Sequence, residues 1–209
     1  KALLVFSAHW ETMGFVFGET ETHTQLIYDF GGFPEALYQV KYPAPGDPWL
    51  ADAVEARLGI IDRQINRSQR GLDHGVWVPL VHMWPDADVP ILQMTMPRVL
   101  SNADLYDLGR RLAPLRDEGI IIIGSGTLTH NLGEFRPNHS GPPLVWAADF
   151  DQWVATALVQ RDSEALLNWE QRAPNARQNH PTPEHFRPLL ISLGAAGADE
   201  ITFPVTGFE

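Results

Sequence analysis

The chain is 209 residues long, 44% hydrophobic and 20% charged, which suits one globular domain with a sizeable core and would leave two domains cramped. Its formal net charge is −11, with 15 basic residues against 26 acidic ones and no Lys/Arg cluster to offset them, so no nucleic-acid partner is expected. The chain has no cysteine, which removes disulfides, thiolate nucleophiles and Cys-type zinc sites and suits a reducing cytoplasm. The longest apolar runs fall far short of the roughly 20 residues that a membrane span needs, so no membrane partner is expected.

Short apolar runs rich in β-branched residues alternate with helical patterns along the chain. They predict an α/β fold: a single domain with a mainly parallel central sheet flanked by helices. Ala2–Ser7 reads as the first strand and Gln25–Tyr28 as the second. Two turn-rich loops follow, Asp29-Phe-Gly-Gly-Phe-Pro34 and Tyr42-Pro-Ala-Pro-Gly46. Asp47 then caps a helix over Pro48–Leu58, with proline at its first position. Val89–Thr95 is the third predicted strand. Ser101 and Asp104 have the spacing of a capping box, and Leu105, Leu108, Leu112 and Leu115 form one apolar stripe. Pro114 is expected to kink or end that helix. Gly119–Gly124 is the fourth strand, and its run Ile120-Ile-Ile-Ile123 lacks polar alternation, as in a strand covered on both faces. A loop over Asn131–Pro143 precedes helices at Phe150–Gln160 and Glu164–Glu170. Thr182-Pro183-Glu184 opens a last helix toward Leu193, with Pro188 expected to bend it. Lys1 leads directly into a strand and Ile201–Glu209 stops as abruptly, so a longer protein with material missing at both ends is expected.

Eight histidines are the main chemical resource: His9, His23, His74, His82, His130, His139, His180 and His185. His9 follows the first strand in Ser7-Ala-His-Trp-Glu11. His130 follows the fourth in Gly124-Ser-Gly-Thr-Leu-Thr-His130. Imidazoles just beyond two parallel strands can converge at one end of a sheet; the plain alternative is a strand-end residue bonded to a neighbouring loop. His185 is placed in the first turn of the last helix, behind Thr182 and Pro183, where a ligand would be held rigidly. Its neighbour Glu184 is about 100° round that helix, so both can hardly face one ion. His74 lies in the Gly-flanked loop Gly71-Leu-Asp-His-Gly75, where Asp73 is the candidate to orient it. His23 and His139 read as surface residues, His82 as packing, and His180 as shaping a turn beside Pro181. Trp10 and Trp77, beside candidate histidines, are placed to line an aromatic pocket.

Other chemistries lack their signatures. Gly124-Ser-Gly-Thr127 does not have the spacing of a dinucleotide fingerprint, and there is neither a phosphate loop nor a Gly-x-Ser-x-Gly elbow.

Seven ordered motifs instead carry a resemblance. They are Ser7-Ala-His-Trp-Glu11, Tyr28-Asp-Phe-Gly-Gly-Phe-Pro34, Tyr42-Pro-Ala-Pro-Gly46, Gly71-Leu-Asp-His-Gly-Val-Trp-Val-Pro-Leu80, Trp84-Pro-Asp-Ala-Asp88, Gly124-Ser-Gly-Thr-Leu-Thr-His-Asn-Leu132 and His180-Pro-Thr-Pro-Glu-His-Phe186. In content and order the chain resembles the class III extradiol ring-cleavage dioxygenases, in the branch of the 4,5-DOPA dioxygenases. The resemblance implies an extradiol-dioxygenase-like catalytic domain over residues 1–209. It also implies metal ligation by His9 and His185, with His130 as acid/base and possible further ligand. His74 would contact substrate or oxygen. The family also has an N-terminal His-Gly-Ser-Pro strand end that supplies another ligand, and no such motif occurs here.

Fe(II) is the cofactor this resemblance implies for activity, and zinc could fill the same histidines without its redox chemistry. The implied partners are a small aromatic diol and dioxygen. His130 would move a catechol proton, and His74 would donate a hydrogen bond to developing charge. Two rivals share the site: a zinc-dependent hydrolase, and a non-catalytic metal- or ligand-binding relative.

Overall fold

The computed structural model describes residues 1–59, 65–135 and 141–208, so His139 lies outside the described residues. The opening apolar run forms β1 (Ala2–Thr12), which extends past the predicted Ser7 to include His9 itself. β1 pairs in parallel with β4 (Ile91–Pro97) on one side and β5 (Ile120–Ser125) on the other. Two short strands, β2 (Val16–Phe17) and β3 (Asn66–Arg67), complete the order β3-β2-β4-β1-β5. Among the strand pairs of the described residues only β2–β4 is antiparallel, so the mainly parallel α/β sheet is as expected.

Alternation along β1 divides the core. Ala2, Leu4 and Phe6 point into a large cluster with α1 (Pro48–Leu58), α3 (Asn102–Leu112), α4 (Val145–Val159) and α8 (Arg187–Ala196). Leu3 and Val5 point to the other face, against Trp77 and Leu80 of α2 (His74–Met83). Helices therefore cover both faces, the arrangement that puts binding sites at the carboxyl ends of parallel strands.

The local signals account for several boundaries. Asp47 accepts from the Leu50 amide, Pro48 opens α1, and Gly59 closes it in the left-handed region. Ser101 and Asp104 form the capping box of α3. At Pro114 the helix tightens into a 3-10 turn over Ala113–Glu118 instead of continuing.

Four expectations need correction. Gln25–Tyr28 is not a strand; it makes a single parallel bridge, Leu26 to Leu72. β5 is an edge strand with Ile121 50% exposed, so its four isoleucines are not all covered. The segment Glu164–Glu170 breaks at Asn168 into α5 (Ser163–Leu167) and α6 (Trp169–Arg172), and α7 (Ala176–Asn179) follows. The last helix starts only at Arg187, with Pro188 in its first turn, where proline lacks nothing the helix needs.

α8 carries the chain away from the site and packs closely on α3. A Cβ on Gly109 would lie 2.0 Å from the Ile191 carbonyl oxygen, and one on Gly194 would lie 2.0 Å from that of Tyr106. Gly109→Ala must therefore push two backbones apart. The expected cost is at least about 1–3 kcal/mol, read as a lower urea midpoint. None of the described helices is long and apolar enough to cross a membrane.

Candidate metal centre

The site begins where β1 departs from regular pairing. Phe6 faces Met94 and Glu11 faces Met96, so Ser7 to Trp10 stand against Thr95 alone. This irregularity re-aims the strand end that carries His9. Beneath it lies a buried polar support. Ser7 Oγ donates to Asp73 Oδ1 at 2.7 Å, Gln93 Nε2 donates to Asp73 Oδ2 at 2.5 Å, and the His9 amide donates to Ser7 Oγ at 3.2 Å. Asp73 therefore points inward, and it does not orient His74.

His74 is the first residue of α2 rather than a loop residue. Asp29 orients it: Oδ1 accepts from the His74 amide at 3.1 Å and from Nδ1 at 2.7 Å. The other oxygen, Oδ2, stands 3.5 Å from His9 Nδ1. Burial works against the charge on Asp29, but the side-chain and backbone bonds from His74 outweigh it and hold the carboxyl below its ordinary range. An ionised carboxylate only accepts, so the His74 proton sits on Nδ1 and the neutral ring presents Nε2 as an acceptor. The donor role expected of His74 is therefore open to it only after it has gained a proton.

His130 and His185 arrive on two segments stitched together through the backbone. The Thr127 amide donates to the His185 carbonyl at 3.1 Å, and the His130 amide to the Asn179 carbonyl at 2.9 Å. His180, buried, bonds the Leu128 carbonyl through Nε2 at 2.8 Å, and Thr129 Oγ1 donates to Asn179 Oδ1 at 2.8 Å. Gly126 permits this approach, since a Cβ there would come within 2.2 Å of the His185 carbonyl oxygen. His185 lies in the turn before α8, not within the helix. That placement removes the 100° separation expected of Glu184, whose Oε1 instead accepts from His185 Nδ1 at 3.0 Å. Thr182 holds the same oxygen at 2.9 Å, so it steadies Glu184 instead of capping a helix.

The four predicted site histidines meet. His9 and His74 have ring centroids 4.1 Å apart, and His9 and His185 5.0 Å; His130 and His185 stack at 3.4 Å with 9° between planes. Burial lowers the pKa of His185 to about 4, with the Glu184 bond opposing and His130 and His9 adding to the fall. Burial likewise lowers His9, reinforced by His74, and lowers His130. Neutral imidazoles are what a metal ion requires. Two donor groups, His9–Asp29–His74 and His130–Glu184–His185, each have donor atoms within 4.8 Å of one another. This donor chemistry fits a divalent metal.

Asp29 and the contact from Glu184 are the parts that sequence reasoning missed. The available signal was a carboxylate inside the glycine-rich loop Tyr28–Pro34. The aromatic wall beside His74 is also different from the one expected. It is Phe30, 5.6 Å from the His74 ring and backed by Trp77 at 5.9 Å. Trp77 is itself buried, and Trp10 is buried under the Arg70 guanidinium.

Two other histidines reverse their expected settings. His82 is exposed. His23 is buried, with Nε2 on the Ile91 carbonyl at 2.9 Å. His23→Ala is expected to cost about 1–3 kcal/mol by stranding that carbonyl, with bound metal unchanged. Burial lowers the His23 pKa below 6.5, so its contribution is full above 6.5 and is lost as the pH falls through the folded value. Urea unfolding should therefore show a smaller gap between variant and parent at pH 5.5 than at pH 7.5.

The chain is also similar to known proteins. The chain is 46% identical over 204 residues to the 4,5-DOPA dioxygenase extradiol of Beta vulgaris, covering 94% of this chain and 74% of that protein. It is 40% identical over 213 residues to the 4,5-DOPA dioxygenase extradiol of Escherichia coli K12, covering 100% and 78%. The crystal structure of an uncharacterized Escherichia coli K12 protein superposes with a TM-score of 0.80 at 35% identity, covering 99% of this chain and 80% of that one. The family model for the catalytic LigB subunit of aromatic ring-opening dioxygenase matches residues 1–208, and the chain belongs to that family.

Proposed function

We propose that this chain, one catalytic domain over residues 1–209, cleaves a catechol-type ring, DOPA-like in form, with dioxygen. Cleavage beside the two hydroxyls gives a muconic-semialdehyde-type product. The observation that carries this reading is the meeting of four imidazoles, three of them held neutral by burial, at the carboxyl end of β1 in a ring-opening dioxygenase fold. His9 and His185 would hold the metal, with His130 as a possible further ligand. Fe(II) bound there would supply open coordination positions and redox capacity for diol and dioxygen; zinc would supply only the former.

The remaining chemistry belongs to the protein. No hydrogen bond engages the His130 ring among the described residues, so it is free to take a proton from one hydroxyl and return it later. His74 Nε2 accepts from the other hydroxyl, since Nδ1 is occupied by Asp29. Phe30 offers its ring as a flat apolar wall beside His74. The reading places the enzyme in the cytoplasm, where a cysteine-free chain and ferrous iron both fit a reducing environment.

The test is an aerobic assay of iron-loaded and zinc-loaded protein against a panel of catechols, with no nucleotide added. Ring cleavage is expected with iron alone. Hydrolysis confined to the zinc form would establish the hydrolase, and no turnover with any catechol would favour a non-catalytic relative.

A further inference from the structure

We infer that Asp29 is the positioning residue of this centre, fixing which nitrogen carries the proton on His74 and, more weakly, on His9. The inference rests on the dioxygenase reading above and adds a residue to it. One carboxylate spans two rings whose centroids are 4.1 Å apart, with Oδ1 on His74 Nδ1 at 2.7 Å and Oδ2 toward His9 Nδ1 at 3.5 Å. Because the carboxylate only accepts, it selects the Nδ1–H form of the ring it bonds and leaves the Nε2 lone pair bare. That is the form His9 needs to ligate and His74 needs to receive a hydroxyl. Without Asp29, each ring could turn over or shift its proton at little cost.

Asp29 can perform this task because its loop is fixed to the start of α2. The Ile27 amide donates to the Leu72 carbonyl at 2.8 Å, and Trp77 Nε1 donates to the Ile27 carbonyl at 3.1 Å. Tyr28 closes the far side through its hydroxyl on the Val40 carbonyl at 2.6 Å. A role as metal ligand is the competing assignment, as Asp29 belongs to one of the two donor groups. Against it, Oδ1 already serves two donors, the His74 amide and ring, which ligation would weaken. Glu184 stands to His185 as Asp29 stands to His74, a carboxylate on Nδ1, so the centre uses the same device on both sides.

The experiment compares Asp29→Asn and Asp29→Ala in the whole chain. Nitrogen-15 NMR of the metal-free protein reads the protonated nitrogen of His74, assigned by its absence in His74→Gln. Metal content at saturating iron, kcat and KM are measured beside it. Asp29→Asn keeps an accepting oxygen and should retain the Nδ1–H form with most of kcat. Asp29→Ala should give a mixture of ring forms and lower kcat by about 10–100-fold, with metal content at saturating iron and KM close to those of the parent. Unchanged ring forms and kcat in Asp29→Ala would overturn the inference, and so would loss of iron in both variants, which would make Asp29 a ligand. If the parent protein opens no catechol while Asp29→Ala still scrambles the His74 proton, the dioxygenase reading fails and the positioning role stands.

Discussion

His185→Ala is expected to lose bound iron and ring cleavage together. The side chain is 9% exposed, stacked on His130 and fixed through Nδ1 by Glu184, so it is held in one orientation beside His9. Removing it also leaves a polar hole beside His9, the other proposed ligand. The expected loss is at least about 10–100-fold in metal affinity, with catalysis falling in step. Elemental analysis after dialysis and single-turnover ring cleavage are the two measurements. Full metal content in the variant would remove His185 from the ligand set.

His74→Ala is expected to separate binding from chemistry. Its ring is 28% exposed, touches Phe30 and His9, and bonds Asp29, so its loss leaves His9, His130 and His185 in place. Iron content should stay close to that of the parent while turnover falls by roughly 10²–10³, the usual cost of one positioned polar group. Loss of iron to the degree seen in His185→Ala would make His74 a ligand. Unchanged iron and an unchanged rate would leave it without a catalytic part. His74→Gln adds a control, because its amide oxygen can restore an accepting contact without the imidazole.

How much of this was legible in the sequence follows the range of each interaction. Caps and prolines act within one turn, so Asp47 and Pro48 placed α1, and Ser101 with Asp104 placed the start of α3, while its end was left between a kink and a stop at Pro114. Apolar runs fixed β1, β4 and β5, whose register needs only alternation and burial. β2 and β3 escaped because two-residue strands carry no period, and Gln25–Tyr28 misled because its short apolar run serves a loop pinned by one bridge. The four site histidines were found because strand ends and family motifs mark them. Neither carboxylate partner was found: Asp29 and His74 are far apart in sequence and meet only through the fold, and Glu184 was set aside on the geometry of a helix that starts only at Arg187. His23 was misread for a similar reason: polar neighbours in sequence gave no hint that the Ile91 carbonyl waits for it.

The seam that joins Thr127 and His130 to Asn179 and His185 is made of main-chain amides and carbonyls, which every residue but proline supplies in full. Those two bonds are therefore indifferent to the side chains of the residues that make them, whereas Gly126, Thr129 and His180 beside them are held to their own side chains. The facing wall, Asp29 to Tyr38, owes its shape to the packing of Phe30, Phe33 and Tyr38, with Phe33 56% exposed. Evolutionary latitude is thus divided unevenly around the pocket. Changes at Thr127 leave its backbone bond to His185 where it is, whereas exchanges among the loop aromatics reshape the wall beside His74. New substrate preferences in such a scaffold would arise from the loop, with the reaction itself inherited unaltered.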